Sequence, residues 1–166
     1  MIIALDVHYR SDYAKAVAIN FNDWQSTVVE SIHVKHILDI QPYVPGSFYQ
    51  RELPCLLEVL KELPIANIEC IIVDGFVFLS EDEKPGLGYY LYKALDKKIP
   101  VIGLAKSAFK NAEEFAVPVL RGESKQALYI TSIGIEQSQA AKYIGQMVGP
   151  YRMPDLLREL DKETKK

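Results

Sequence analysis

The sequence has few cysteines, few histidines and no long apolar run. Its two cysteines, Cys55 and Cys70, lie among leucines and isoleucines without CxxC spacing, which favours buried thiols over a disulfide or a zinc site. No apolar run approaches the ~20 residues that span a bilayer, and no basic segment precedes the first apolar run. We therefore expect neither a membrane span, a secretory leader nor redox chemistry, and we predict a cytoplasmic protein.

An excess of positive charge is also absent, because 22 acidic and 19 basic residues give a formal net charge of -3. A broadly basic nucleic-acid-binding face is therefore not expected. Acids that cluster around a divalent cation contribute to the same number, so a nucleic-acid substrate stays open. With 49% hydrophobic residues in 166, residues 1–166 are long enough for one domain with a substantial core but short for two.

The order of apolar patterns predicts an α/β fold. Three strands come first, and the short polar links between them favour an antiparallel meander. Helices and strands then alternate to the end of the chain. The predicted strands cover 1–8, 13–21, 25–34, 68–74, 101–104, 116–120 and 127–133, and the predicted helices cover 48–63, 86–97, 136–148 and 154–160. A mixed sheet of three antiparallel strands followed by parallel strands, with helices on both faces, is the ribonuclease H-like arrangement.

Three acids fall where this fold would bring them together. The first apolar run ends near Asp6, the fourth strand ends at Asp74, and Glu52 lies in the early turns of the helix between them. Carboxylates suit Mg²⁺, and two such ions about 4 Å apart can activate water and stabilise the leaving oxygen in phosphodiester cleavage. Isolated acids at strand ends are common, so helix capping or solvation of the strand ends is the alternative interpretation.

Several short motifs follow one another in order along most of the chain. They are Asp6 with Tyr9, Pro42-Tyr43-Val44-Pro45-Gly46 followed by Arg51-Glu52, Val73-Asp74-Gly75, Gly86-Leu87-Gly88, Pro100 to Ser107, Ser132-Ile133-Gly134, and Pro150 to Asp155. Together they resemble the endonuclease V family, which cleaves nucleic acid on the 3′ side of deoxyinosine or inosine using Mg²⁺. The proline-bounded segment ahead of Arg51-Glu52 and the Ile102 to Ser107 segment are the most specific of these matches.

The resemblance implies catalytic roles for four residues. Asp6, Glu52 and Asp74 would bind Mg²⁺ or Mn²⁺, in agreement with the cluster predicted from the fold. Lys106 would lie near the scissile phosphate as a fixed positive charge. The alternative for Lys106 is an ordinary solvated lysine after a strand.

The resemblance also implies residues that contact substrate. Pro42, Tyr43, Val44, Pro45 and Gly46 would form a wedge that separates strands at the lesion, and Tyr9 belongs to the first-strand motif. A stiff, apolar loop with one aromatic ring is suited to stacking against bases. Simple packing over the sheet edge is the alternative for this loop.

Two further residues are possible members of the site. Asp155 would be an outer metal ligand or would orient a water, and otherwise is an acid at a helix N-terminus. His8 lies on the same strand face as Asp6, where it would contact a phosphate or a metal-bound water, and otherwise is a strand histidine.

The chain departs from the family pattern at three places. The family has a basic, histidine-containing segment after VDG, whereas here residues 76–85 carry the acidic run Glu81-Asp82-Glu83. Tyr90 and Ile135 stand where the family has histidine. The loss of these histidines removes general acids, and the acidic run would repel a nucleic-acid backbone.

These observations support hypotheses of different classes. The first is a Mg²⁺-dependent endonuclease that acts on a deaminated purine in DNA or RNA. The second is a catalytically weak or inactive relative that binds nucleic acid or a protein partner through the retained fold. The third is a ribonuclease H-like nuclease of another specificity.

Overall fold

The computed structural model describes residues 1–107 and 110–166. In this part of the chain the strands are β1 Ile2–Tyr9, β2 Ala14–Phe21, β3 Ser31–Ile37, β4 Cys70–Asp74, β5 Val101–Ala105, β6 Val117–Val119 and β7 Leu128–Ile133. The helices are α1 Tyr49–Leu60, α2 Leu87–Ala94, α3 Gln137–Gln146 and α4 Asp155–Lys165, with short 3₁₀ helices at Ile65–Asn67 and Ala112–Glu114.

The described strands form one mixed sheet in the order β3-β2-β1-β4-β5-β7-β6. The predicted meander is confirmed, since β2 pairs antiparallel with both β1 and β3. Strands β4 and β5 are parallel to β1, as predicted. The expectation of further parallel strands is wrong for β6 and β7, which pair antiparallel with each other, and β7 runs antiparallel to β5. A short loop over 120–127 joins β6 to β7, which is enough for an antiparallel pair but not for a parallel crossover.

Two element boundaries differ from the prediction for local reasons. β3 begins at Ser31 rather than at 25, because Asp23 accepts a hydrogen bond from Gln25 N at 2.8 Å and another from Ser26 N at 3.2 Å. Such local turns compete with strand pairing. α4 continues to Lys165 rather than ending at 160, because Thr164 packs inward at 1% exposure and keeps the last turn against the sheet.

The core lies on both faces of the sheet. Side chains alternate along a strand, so that Ile3 and Leu5 of β1 pack on the face of α1 and α2, whereas Ile2 and Ala4 pack on the face of α3 and α4. This confirms the predicted helices on both faces. Cys55 and Cys70 are buried and free, as predicted. None of the helices in the described residues is long and apolar enough to cross a membrane.

Candidate active site

Asp6 and Asp74 lie side by side because the strands that carry them are parallel neighbours. Leu5 of β1 lies opposite Val73 of β4, and the two aspartates follow directly. Each aspartate lies two positions after a residue that packs on the face of α3 and α4, Ala4 in β1 and Ile72 in β4. Both carboxylates therefore lie on the side of the sheet covered by α4. The sheet pairing therefore brings together two acids that are 68 positions apart in the sequence.

The chain turns sharply after Asp74. Gly75 has φ +129°, a conformation that side chains rarely adopt, and its N–H donates to Leu104 O at 2.9 Å. On β5, a Cβ at Gly103 would stand 2.7 Å from Gly75 O. Two glycines thus let the backbone after Asp74 fold closely over the neighbouring strand.

Glu52 reaches the same place from α1. It is 9% exposed and lines a small cavity together with Asp6 and Asp74. The preceding residue, Arg51, lies with its guanidinium 3.8 Å from the centre of the Tyr9 ring. Arg51 therefore contacts an aromatic ring, whereas Glu52 joins the carboxylate cluster. Solvation of a strand end does not explain a buried carboxylate such as Glu52.

The three carboxylates repel one another. Burial, with a contribution from the charge of Asp74, raises the pKa of Asp6 to about 6. Burial and the charges of Asp6 and Asp74 raise the pKa of Glu52 to about 8. Desolvation also raises the pKa of Asp74, against the opposing charge of Lys106. Without a cation, the cluster therefore holds protons more tightly than ordinary carboxylates do.

Lys106 supplies positive charge at this edge of the sheet. It follows β5, and its Nζ lies 3.8 Å from Asp74 Oδ2. Its backbone is held by Arg152, whose Nη2 donates to Lys106 O and, at 2.8 Å, to Ala127 O. Arg152 belongs to the Pro150 to Asp155 motif, so the sequence indicated that this segment matters. Its bonds to backbone carbonyls could not be predicted from the sequence.

Asp161 is an acid of this site that the sequence reasoning missed. It lines the cavity formed with Asp6, Asp74 and Lys106, and its charge contributes to the raised pKa of both aspartates. Its own Oδ2 lies 2.9 Å from Lys165 Nζ. Helical spacing could have indicated it, because residues four apart share a helix face. Asp161 lies four residues after the apolar Leu157 and four before Lys165.

The C-terminal turn of α4, which carries Asp161, is anchored by the first hairpin. Lys15 Nζ donates to Glu163 O at 2.7 Å, and Arg10 Nη2 donates to Thr164 O at 3.3 Å. The Thr164 hydroxyl lies 3.5 Å from Asp6 Oδ2. Cations at a helix C-terminus satisfy its last carbonyls and its dipole, so these contacts fix α4 next to Asp6.

Asp155 and His8, the two possible members of the site, are not among the described residues that line the cavities of Asp6 and Asp74. Asp155 begins α4, is exposed, and has its Oδ1 3.9 Å from Arg158 Nη1. Among the described residues, Asp161 rather than Asp155 lines the cavity of Asp6 and Asp74. His8 is half-buried on β1 opposite Lys15, two residues beyond Asp6.

The segment Pro42 to Gly46 forms an exposed irregular loop before α1. Tyr43 is 60% exposed and Val44 41%, so the loop projects into solvent and does not pack down on the sheet edge. Ser47 N donates to Val44 O at 3.0 Å, which closes a turn. Tyr9, the other residue predicted to contact substrate, lies under Arg51. Burial, and to a smaller extent the charge of Glu52, raises the pKa of its phenol.

A pocket of about 380 Å³ opens beside the carboxylates. Asp6, Glu52 and Asp74 line one part of it, and Phe48 and Phe76 line another. Aromatic walls next to acids give a space where a flat, uncharged ring and a phosphate could lie at the same time.

The positions where histidines are missing have other packing roles. Tyr90 stacks on Tyr49 with ring centres 3.8 Å apart. Ile135 is half-buried, and its carbonyl accepts the Ser132 hydroxyl at 2.7 Å. The loop 76–85 folds back on itself, with Leu79 N donating to Lys84 O at 2.8 Å, and exposes its acidic run at the tip.

The donor atoms of this site are of the type that binds a hard divalent cation. Asp6, Glu52, Asp74 and Asp161 offer only carboxylate oxygens, the donors that Mg²⁺ and Mn²⁺ prefer. Across 1–107 and 110–166, however, no group of three or more His, Cys, Asp or Glu side chains is already arranged to hold a metal ion. These carboxylates therefore fit a hard cation by the type of their donor atoms alone.

The fold and the acidic sheet edge define a class, that of the ribonuclease H-like nucleases. The family model described as endonuclease V matches residues 1–129. The chain belongs to the endonuclease V family.

Relatives and solved structures agree with this assignment. Endonuclease V of Rippkaea orientalis is 27% identical over an alignment 182 positions long, which covers 97% of this chain and 77% of that protein. Endonuclease V of Thermus thermophilus is 26% identical over 138 residues, and the match covers 70% of this chain and 59% of that protein. Endonuclease V of Ciona intestinalis, solved with a 24mer DNA containing an inosine followed by a ribo-adenosine, superposes with a TM-score of 0.78 at 17% identity, covering 99% and 83% of the two chains. The predicted ribonuclease H-like fold is confirmed.

Proposed function

We propose that residues 1–166 form one domain that acts as a Mg²⁺- or Mn²⁺-dependent endonuclease, hydrolysing a phosphodiester bond 3′ to inosine in DNA or RNA. The observation that carries this proposal is the convergence of Asp6, Glu52 and Asp74 on one cavity next to Lys106. Three acids from separate elements converge at the edge of the sheet, and the family match supplies the reaction class.

Asp6, Glu52 and Asp74, together with Asp161, would hold the cation. The raised pKa values of Asp6 and Glu52 support this role, because they result from burial and from the charges of neighbouring acids, both of which a bound cation would offset. When bound, a divalent cation supplies Lewis-acid activation of the phosphodiester.

Lys106 is positioned to stabilise the phosphate. Its contact with Asp74 is long and half-exposed, and such ion pairs contribute little stability. The ammonium group can therefore exchange this contact for a phosphate oxygen, and Arg152 keeps its backbone in place meanwhile. Fixed positive charge next to the developing negative charge lowers the barrier.

The chain would recognise the base through two neighbouring features. The pocket with Phe48 and Phe76 would receive the inosine ring, and the exposed Tyr43 and Val44 would stack against bases beside it. Extruding a weakly paired base costs less than extruding a well-paired one, which favours inosine.

An inactive relative that binds nucleic acid or a protein partner is the second candidate function. The observation that favours it is the Tyr49–Tyr90 stack, which holds a phenol at a position where the resemblance implies a histidine.

The test is cleavage of end-labelled DNA and RNA strands, with and without one inosine, in Mg²⁺ or Mn²⁺. We expect one product, cut on the 3′ side of inosine, and none when the cations are chelated. Absence of cleavage on all strands, with retained binding, would favour the inactive relative. Equal cleavage of unmodified strands would favour another nuclease specificity.

Asp161 and Asp155 give opposite predictions on the same helix. We expect Asp161→Asn to weaken Mn²⁺ binding, measured by calorimetry, by about 10- to 100-fold, the range seen when groups around a metal are removed. Asp155→Asn should bind Mn²⁺ like the parent, since its carboxylate lies against Arg158. Lys165→Gln controls for the loss of the Asp161 ion pair. Weaker binding in Asp155→Asn alone would reverse the assignment.

A further inference from the structure

A cationic groove continues from Lys106 away from the carboxylates. It has a volume of about 730 Å³ and contains Lys106, Lys125 and Arg152, with no carboxylate among the described residues that line it. The chain as a whole carries a net charge of -3, so this groove has the opposite sign from the molecule. Such separation of charge concentrates anions at one place on the surface.

The groove also has apolar surface. Leu120, which is 66% exposed, and Tyr129 line it beside the cations. Cations that contact phosphates, combined with an aromatic ring and apolar groups that contact bases or sugars, are the components of single-strand binding sites.

Arg152 keeps the two sides of the groove in place. Its guanidinium bonds to Lys106 O after β5 and to Ala127 O before β7. These bonds use backbone acceptors on both sides. Lys125 is exposed, and Lys106 can exchange its long, half-exposed contact with Asp74 for a ligand. Lys106 lines both this groove and the cavity of Asp6 and Asp74, so the groove adjoins the proposed site of cleavage.

We propose that this groove binds the single-stranded segment next to the scissile phosphate, with Lys125 contacting a backbone phosphate and Leu120 and Tyr129 contacting a base or sugar. The inference rests on the proposed nuclease function, because that function places the scissile phosphate at Lys106. The groove extends the substrate-binding surface beyond the inosine pocket and binds the strand without reading its sequence.

The test is binding of a fluorescent, inosine-containing single strand by the full chain with cations chelated, followed by anisotropy. We expect Lys125→Glu to weaken binding about tenfold and Lys125→Gln about threefold, and Lys125→Gln to reduce the salt slope by about 0.7, the value for one phosphate on a single strand. Trimming the strand on one side of the inosine, but not on the other, should remove the sensitivity to residue 125.

Lys98→Glu is the matched control, because Lys98 is exposed and precedes β5 at the opposite end of that strand. Equal affinities of Lys125→Glu and the parent, or equal losses in the Lys125 and Lys98 variants, would overturn the groove. A parent that binds no strand would overturn it too. If the Lys125 variants lose binding but the parent cleaves no strand, the groove stands and the proposed function fails. If the parent cleaves at inosine while Lys125→Glu binds normally, the proposed function stands and the proposed role of the groove fails.

Discussion

Replacing Asp74 with asparagine is expected to lower the rate of cation-dependent strand cleavage by about a thousandfold, as removal of one preorganised electrostatic group does in other enzymes. Asparagine preserves the shape of the side chain but cannot supply the charge that would hold the proposed cation. The backbone of β4 is paired on both sides, so the fold should not change.

Single-turnover cleavage rates measure this effect, and circular dichroism melts report the fold. Asp82→Asn is the control, since Asp82 is an exposed acid in the loop that follows Asp74. Equal rates in Asp74→Asn and the parent would show that another group carries the reaction.

The second large effect concerns stability and pH. Glu52→Gln is expected to stabilise the metal-free protein by several kcal/mol above about pH 8, where the parent carries a buried, ionised Glu52. The pKa of Glu52 rises from an ordinary 4.5 to about 8 on folding. The folded state therefore binds this proton more tightly than the unfolded state. The free energy of unfolding falls as the pH rises from 4.5 to about 8. The slope for one group is at most about 1.4 kcal/mol per pH unit.

Urea denaturation of the metal-free protein from about pH 5 to about pH 9 covers this window. The Glu52→Gln variant should lose less stability across it than the parent, and Mn²⁺ should restore stability to the parent alone at the alkaline end. Glu58→Gln is the control on the same helix, because Glu58 contacts Lys61 at the surface. Parent stability that rises with pH across the window would contradict the account.

Most of the fold could be predicted because each element has its own local pattern. In β4, Cys70 to Val73 are all apolar and all buried, and in α1 buried residues recur three and four apart. Asp6 and Asp74 could be placed together because both end apolar runs that the fold makes parallel neighbours. The direction of β7 could not be predicted, since it depends on how a short loop returns the chain rather than on residues within the strand.

The composition of the site was harder to predict than its location. Asp161 lies in a strongly charged helix, between the buried Leu160 and the exposed Lys162. Helical spacing allows it to face inward, and the packing of the helix against the sheet decides that it does. Arg152 bonds to carbonyls on two separate segments. Contacts of this kind depend on tertiary structure, and no local pattern encodes them.

Cleavage of one inosine-containing strand by the parent and by Asp74→Asn, compared side by side as Mn²⁺ is increased, decides whether the carboxylates hold the catalytic cation. We predict a product cut 3′ to inosine whose yield rises and saturates with Mn²⁺ in the parent and stays at background in the variant. Cleavage by the parent that is independent of Mn²⁺ and of Mg²⁺, or equal cleavage by Asp74→Asn, would contradict the claim that these carboxylates hold the catalytic cation.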